Sequence, residues 1–158
     1  MIGRTRSARL RRRGVRRGLA LAALIGAFGL AACGAAAPEG EPNAEVIALG
    51  ARVYQANCAS CHGASGEGQP NWQSRRADRT LPAPPHDASG HTWHHPDDVL
   101  IEIIRRGGEA VYGGPGLRSG MPAFGERLGA AEIEAVLAYL KTLWGDAERE
   151  YQQGLAEQ

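Results

Sequence analysis

The chain has 158 residues, and its 18 basic and 17 acidic side chains nearly cancel to a formal charge of +1. This length favours a single folded domain. All 17 acidic residues follow Cys33 but only ten basic ones do, so the chain beyond that point carries a charge of −7. That negative charge argues against a nucleic acid as the partner.

The amino-terminal segment has the order of a secretory signal. Eight arginines and no acidic residue occupy residues 1–18, and an uncharged apolar run of 14 residues follows over residues 19–32. A basic region followed by an apolar region and small residues is typical of an export signal. Because a membrane-spanning helix needs roughly 20 apolar residues, we expect residues 1–32 to be a removed signal peptide. An uncleaved membrane anchor is the alternative.

The apolar run ends in Leu-Ala-Ala followed by Cys33, which resembles the lipobox of bacterial lipoproteins. The resemblance implies that Cys33 is lipidated and becomes the first residue of the mature protein. Burial of acyl chains contributes about 0.8 kcal/mol per methylene group, so several chains would hold the protein stably at a membrane. Residues 33–43 are rich in Pro and Gly, and we expect them to form a flexible lipidated tether.

Helical signals occupy three stretches of the remaining chain, and no strand-like alternation competes with them. The first covers residues 44–57, with Asn43 as its N-cap. The second starts with Pro96 at its first helical position and stops at Gly107. The third covers residues 130–144. The apolar residues at helical spacing are Val46, Leu49, Val53 and Tyr54; Val99, Leu100, Ile103 and Ile104; and Ile133, Val136, Leu137, Leu140, Leu143 and Trp144.

Long connections separate these helices. One has about 33 residues and precedes Pro96, and another, from Gly107 to Gly129, holds eight glycines. Such loops are uncommon in compact domains unless they are functional or disordered. Three short helices bury little core, and a domain this small usually needs a disulfide, metal or cofactor. We therefore expect an all-α domain over residues 44–145, built around a bound group, and a polar tail over residues 146–158.

The sequence Cys58-Ala-Ser-Cys61-His62, at the end of the first helix, matches the pattern of covalent haem attachment. On a helical turn, this spacing lets both thiols reach one edge of a porphyrin while the adjacent imidazole ligates the iron. A disulfide and a thioredoxin-like redox pair are alternatives. A thioredoxin-like fold would require strands around the pair, and the sequence there shows no strand signals. A four-ligand zinc site lacks thiols, because Cys33 belongs to the lipobox-like segment.

Met121 is the single methionine after the signal-like segment, and it lies in a Gly-Met-Pro sequence within the glycine-rich loop. A lone methionine usually fills space in a core. This one lies outside every predicted helix, beside a proline that stiffens its backbone, so we expect it to be the second axial ligand of the iron. Ligation by His62 and Met121 would give a relatively high reduction potential and leave no open coordination position.

Together, these features resemble a class I cytochrome c domain over about residues 44–144. The resemblance implies the cytochrome c fold, with three main helices and long loops around one covalently bound haem c. It also implies that Cys58 and Cys61 attach the haem and that His62 and Met121 are its axial ligands.

The resemblance extends to residues that support the haem. In the family, the first and last helices cross through a small residue and aromatic ones. Matching residues here are Gly50, Tyr54, Val136 and Tyr139. The family's proline carbonyl, which orients the proximal imidazole, is assigned to Pro70. Trp93 matches a donor to a haem propionate, with plain core packing as the alternative.

The segment over residues 82–95 departs from the simplest family members and holds four histidines: His86, His91, His94 and His95. They could ligate the haem in place of Met121, bind copper, or hydrogen-bond to propionates and loop backbone. The last interpretation is favoured. Ligation by two histidines would lower the reduction potential.

These features predict an electron carrier rather than an enzyme, exported to the periplasm or the outer face of a bacterial membrane. It would exchange single electrons with respiratory or oxidoreductase partners, and no small-molecule substrate is expected. The acidic mature chain favours a partner with a basic docking face. One alternative is a haem enzyme or gas-binding protein from which Met121 dissociates. Another is a metal-binding or sensor module that uses the histidine-rich segment.

Overall fold

The computed structural model describes residues 43–155, and within that range the fold is all-α, as predicted. The only β-type pairings there are two isolated bridges. Six α-helices and one short 3-10 helix follow in chain order: α1 Ala44–Asn57, α2 Ala59–His62, the 3-10 helix Thr92–His94, α3 Asp97–Arg106, α4 Gly108–Tyr112, α5 Ala130–Lys141 and α6 Asp146–Leu155.

Helix α1 begins where the sequence predicts. The Asn43 side chain accepts a hydrogen bond from the N–H of Val46 at 2.9 Å, which satisfies one of the amide groups left without a partner in the first turn of a helix. Tyr54 is completely buried on the inner face of α1. Its hydroxyl donates to the carbonyl of Gly63 at 2.8 Å, so α1 also holds the turn that follows α2.

Helices α1 and α5 cross at Gly50. A Cβ at this position would collide with the carbonyl of Ala135 and lie 2.9 Å from the Cβ of Tyr139. Glycine therefore lets the two backbones approach this closely. The rings of Tyr54 and Tyr139 lie beside the crossing, with centroids 5.2 Å apart, and Val136 is buried in the same cluster. The pairing implied by the family resemblance is confirmed.

Helix α3 begins one residue later than predicted. Pro96 has an extended backbone and precedes Asp97, the first helical residue, so the expected place of Pro96 inside the first turn is wrong by one position. Leu100 and Ile104 are buried on the inner face of α3. Gly107 ends the helix with a φ of 78°, a conformation that residues with a side chain rarely adopt. The short helix α4, which was not predicted, follows at once.

The carboxyl-terminal part departs from the prediction in two ways. Helix α5 ends at Lys141, and the predicted continuation to Trp144 consists of turns. The predicted polar tail contains helix α6, which packs against the 3-10 helix. Gln152 of α6 is buried and donates hydrogen bonds to the side chain of Asp97 and the carbonyl of His95.

The long connection after α2 folds back on itself. The N–H of Gln69 donates to the carbonyl of Ala83 at 2.9 Å, and the N–H of His86 donates to the carbonyl of Gly66 at 2.6 Å. These bonds join residues 66–69 to residues 83–86. The chain thus returns to the end of α2, beside His62.

Candidate functional site

The Cys58–His62 motif forms the turn in which α1 passes into α2. The N–H of Cys58 donates to the carbonyl of Tyr54 at 2.8 Å. The Cys58 carbonyl accepts from the N–H groups of Cys61 and His62, at 3.1 and 2.9 Å. Both cysteines are free thiols; Cys58 is half-buried and Cys61 is exposed. Two thiols and an imidazole therefore lie on one short stretch of chain, as haem attachment requires.

The environment of Cys58 does not suit a redox-active thiol pair. Burial raises the pKa of the Cys58 thiol to about 11, with Arg127 opposing this shift and Cys61 adding to it. The sulfur is therefore protonated at neutral pH. A thioredoxin-like pair needs a cysteine of lowered pKa that forms a thiolate, so this observation weighs against that alternative.

His62 is buried, and its ring is hydrogen-bonded to a proline carbonyl. Its Nδ1 lies 2.9 Å from the carbonyl oxygen of Pro84. Because a carbonyl only accepts hydrogen bonds, Nδ1 carries a proton, and in the neutral ring Nε2 then keeps its lone pair. Burial lowers the pKa of the His62 imidazole, and the bond to Pro84 partly opposes this shift. The lowered pKa favours the neutral imidazole, the form in which histidine binds metals.

The assignment of this carbonyl to Pro70 is wrong. Pro70 is exposed in a turn, whereas the backbone bonds between residues 66–69 and 83–86 bring Pro84 to His62. Pro84 follows His62 by 22 residues and has prolines on both sides of it, at positions 82 and 85. The cluster of prolines was a signal for this role, but the sequence does not show where the loop turns back.

Met121 lies on the loop between α4 and α5, next to the carboxyl end of α3. Its carbonyl accepts a hydrogen bond from the N–H of Gly108 at 3.1 Å, and its own N–H donates to the Ser119 hydroxyl oxygen at 3.2 Å. The side chain is partly buried against the same apolar cluster that Cys58 contacts. The predicted sixth ligand and the attachment turn thus share one apolar cluster.

Two buried ring nitrogens in residues 43–155 have no hydrogen-bond partner: Nε1 of Trp93 and Nδ1 of His91. A buried donor left unsatisfied costs about 1–3 kcal/mol, so such a group suits a ligand that accepts the bond. Trp93 also packs against a buried cluster formed by Leu100, Leu137 and Trp144. Its position is therefore compatible with both predicted roles, propionate donor and core residue.

His86 is the histidine of the 82–95 segment that lies beside His62. The two rings are stacked, with centroids 4.1 Å apart and planes inclined by 24°. The Nδ1 atom of His86 lies 2.9 Å from the hydroxyl oxygen of Thr92. Burial lowers the pKa of His86 well below its ordinary value, and repulsion from His62 and His91 adds to this. The two histidines are 24 residues apart along the chain, and no local sequence pattern indicates that their rings stack.

The rings of the other three histidines contact aromatic residues outside this pair. His91 stacks on Trp72 with centroids 5.1 Å apart, and its ring centroid lies 5.5 Å from that of His95. His94 is exposed against Trp93. In the part of the chain that the structure describes, no three His, Cys, Asp or Glu side chains form a group that could hold a metal ion.

The residues present fit a haem c. The fit rests on two free thiols, on an imidazole with an uncommitted Nε2, and on a partly buried thioether. It also rests on the indole N–H of Trp93, which is buried without a partner. The thiols would attach the haem covalently, the imidazole and the thioether would be its axial ligands, and the indole N–H would be a polar contact. Thioether and imidazole are both established ligands of haem iron.

The predicted signal peptide, the lipidated Cys33 and the tether up to residue 42 lie outside the described residues. Within residues 43–155, no helix has the length and apolar character needed to cross a membrane.

Comparison with known proteins identifies a family. The family model described as cytochrome c matches residues 47–144, which is more than half of the chain. No curated protein and no solved structure gave a significant match.

Proposed function

Because the chain belongs to the cytochrome c family, we propose that it carries single electrons through one haem c. Cys58 and Cys61 hold the haem covalently, and His62 and Met121 ligate its iron. Family membership supports haem-based electron transfer in general, and such domains are typical of electron-transfer proteins. A haem c, when bound, supplies an iron that alternates between ferrous and ferric states. The protein binds the group, orients its ligands and tunes its potential.

The observation that carries this proposal is the hydrogen bond from His62 to Pro84. In the neutral ring, this bond leaves the Nε2 lone pair of a buried imidazole available to bind a metal. Metal-ligating histidines almost always donate their other ring N–H to a carbonyl, a carboxylate or a water, which fixes the ring and raises the basicity of the ligating nitrogen. His62 has this arrangement, directly after a pair of free thiols.

Met121 is the second axial ligand in this proposal. Support comes from its place on the apolar cluster, from the hydrogen bond that joins its carbonyl to Gly108 at the start of α4, and from the bond between its N–H and Ser119 in the same loop. A thioether ligand raises the reduction potential of a haem. With both axial positions filled, no substrate reaches the iron, and transfer proceeds without a bond to the partner.

In the same proposal the protein works outside the cytoplasm, in the periplasm or on the outer face of a bacterial membrane. Residues 1–32 are a removed signal peptide, Cys33 carries the lipid, and residues 33–43 form the tether. Tethering raises the effective concentration of a carrier near membrane-bound partners. The charge of −7 beyond Cys33 favours a redox partner with a basic docking face, because complementary potentials speed association.

Carbon monoxide binding to the reduced, haem-loaded protein tests the carrier against a haem enzyme or gas-binding protein. In the wild type a bound Met121 blocks the iron, so we expect slow or negligible binding. In Met121→Ala the blocking thioether is gone, so binding becomes fast. Rapid binding in the wild type, at the rate of the variant, would contradict the carrier and favour the gas-binding alternative.

A further inference from the structure

The face of the His62 imidazole is covered by the ring of His86. The centroids are 4.1 Å apart and the planes differ by 24°, which is the separation of two rings in direct stacking contact. The bond from Nδ1 to Pro84 holds one atom of the His62 ring. A single hydrogen bond still lets a ring rotate about the direction of that bond. A second ring against the face of the imidazole restricts this rotation.

His86 is itself held at three points. Its N–H donates to the carbonyl of Gly66 at 2.6 Å, and its carbonyl accepts from Nε1 of Trp144 at 2.9 Å. Its ring Nδ1 lies 2.9 Å from the hydroxyl oxygen of Thr92, which is buried. Backbone and side chain are therefore both fixed.

The direction of the hydrogen bond between His86 and Thr92 follows from the next partner. The Thr92 hydroxyl donates to the carbonyl of Pro85 at 3.4 Å. Its oxygen therefore accepts from Nδ1 of His86, which carries the proton. The chain of bonds runs from His86 through Thr92 to Pro85 and fixes the rotation of the His86 ring.

We propose that His86 is a positioning residue for the proximal ligand. Its ring, held in place by Thr92, keeps the His62 imidazole in one orientation relative to the iron and so helps to set the electronic structure and potential of the haem. This inference rests on the proposed ligation of iron by His62. Groups around a ligating histidine are known to orient it and tune its metal, and in this chain a stacked ring shares that task with the proline carbonyl.

The chain supplies its own control in His94. His94 belongs to the same histidine-rich segment, but it is exposed, and its ring contacts Trp93 and Tyr151 rather than His62. Substitution of His94 changes the number of histidines in the segment without touching the stacked pair.

The test uses the full-length, haem-loaded protein and compares wild type with His86→Ala, His86→Phe, Thr92→Val and His94→Ala. The readouts are the electron paramagnetic resonance g-values of the ferric haem and its reduction potential, with covalent haem content measured in each sample. We expect His86→Ala to shift and broaden the g-values and to shift the potential. His86→Phe keeps a ring against His62 and should fall between wild type and His86→Ala.

Thr92→Val should shift the g-values in the same direction as His86→Ala, because it removes the bond that fixes the ring at nearly constant side-chain volume. His94→Ala should match wild type. If His86→Ala does not fold, the comparison of Thr92→Val with His94→Ala decides the question. Wild-type g-values and potential in Thr92→Val, or a shift in His94→Ala as large as that of the other variants, would overturn the proposal. A wild type without covalent haem or without a histidine ligand would instead overturn the proposed function.

Discussion

At the scale of single residues, the proximal side of the site is held by hydrogen bonds between side chains and the backbone of another segment. Tyr54 donates to Gly63, His62 to Pro84, and Trp144 to His86. The four ion pairs in residues 43–155 each include a well-exposed partner, and such pairs contribute little stability. Stability around the attachment turn therefore depends on these partly buried hydrogen bonds and on packing.

Tyr54→Phe should destabilise the protein, because the ring stays buried while the hydrogen bond to the Gly63 carbonyl at 2.8 Å is lost. The expected loss in unfolding free energy is about 1 kcal/mol, measured by denaturant unfolding. The control is Tyr112→Phe, at a ring that is 42% exposed. Equal stability of the two variants would show that the Tyr54 hydroxyl does not hold the turn.

The residue-level predictions succeeded where one local pattern decides a role. Cys58, Cys61 and His62 lie on one turn, as their spacing requires. The carbonyl acceptor was misassigned to Pro70 because it depends on where a long loop returns, which local pattern does not indicate. Pro84 reaches His62 through backbone bonds between segments more than ten residues apart along the chain.

At the scale of elements, the end of α3 organises the loop that carries Met121. The last carbonyls of a helix have no hydrogen-bond donor inside the helix. Here the loop provides the N–H groups that donate to them. The N–H of Phe124 donates to the carbonyl of Ile104, and the N–H of Gly125 donates to that of Arg105, both at 3.0 Å. The loop thus continues the hydrogen bonding of α3.

Gly107→Ala should weaken this attachment. The residue has a φ of 78°, and a Cβ there would lie 2.9 Å from the Met121 carbonyl oxygen and 2.8 Å from the Ala123 nitrogen. Backbone strain of this kind costs about 1–3 kcal/mol. We expect lower stability and a weakened methionine–iron absorption band. The matched control is Gly114→Ala, where an added Cβ meets nothing within 4 Å; a Gly107→Ala spectrum identical to the control's would contradict the coupling.

The histidine-rich segment should make stability depend on pH. Burial lowers the pKa of His91 and of His95, and repulsion from neighbouring histidines adds to both shifts. The unfolded chain titrates near the ordinary value of about 6.5, so below that pH the unfolded state binds more protons than the folded state. The contribution of these histidines to the free energy of unfolding is therefore fully present above this pH. It is lost as the pH decreases toward their folded-state pKa.

The pH dependence can be assigned with His91→Phe, which keeps a ring on Trp72 but cannot titrate. Denaturant unfolding measured on both sides of about pH 6.5 should show a smaller loss of stability at acid pH in the variant than in wild type. An equal loss in both proteins would exclude His91 as a source of the effect.

The helices with marked ends were predictable, and the short or polar ones were not. Helix α1 has its Asn43 cap and α3 its Gly107 stop, both visible in the sequence. Helix α6 is polar, and its burial of Gln152 depends on Asp97 and the His95 carbonyl, which belong to distant segments. Such an element needs its tertiary partners to be recognised.

At the scale of the whole molecule, the proposed function places a lipid on Cys33 and a tether between that lipid and the acidic haem domain. If Cys33 carries the lipid, Cys33→Ala should move the protein from the membrane fraction to the soluble fraction, because the acyl chains supply the anchoring free energy. Cell fractionation followed by immunodetection measures this. Retention of the variant in membranes would favour the uncleaved amino-terminal anchor.

Redox-monitored visible spectroscopy tests the central claim most directly, using protein produced together with haem maturation machinery. We predict one covalently bound haem per chain, a single one-electron transition at a relatively high potential, and a methionine–iron band that disappears in Met121→Ala. A wild-type protein without covalent haem, or a spectrum unchanged by Met121→Ala, would contradict the account.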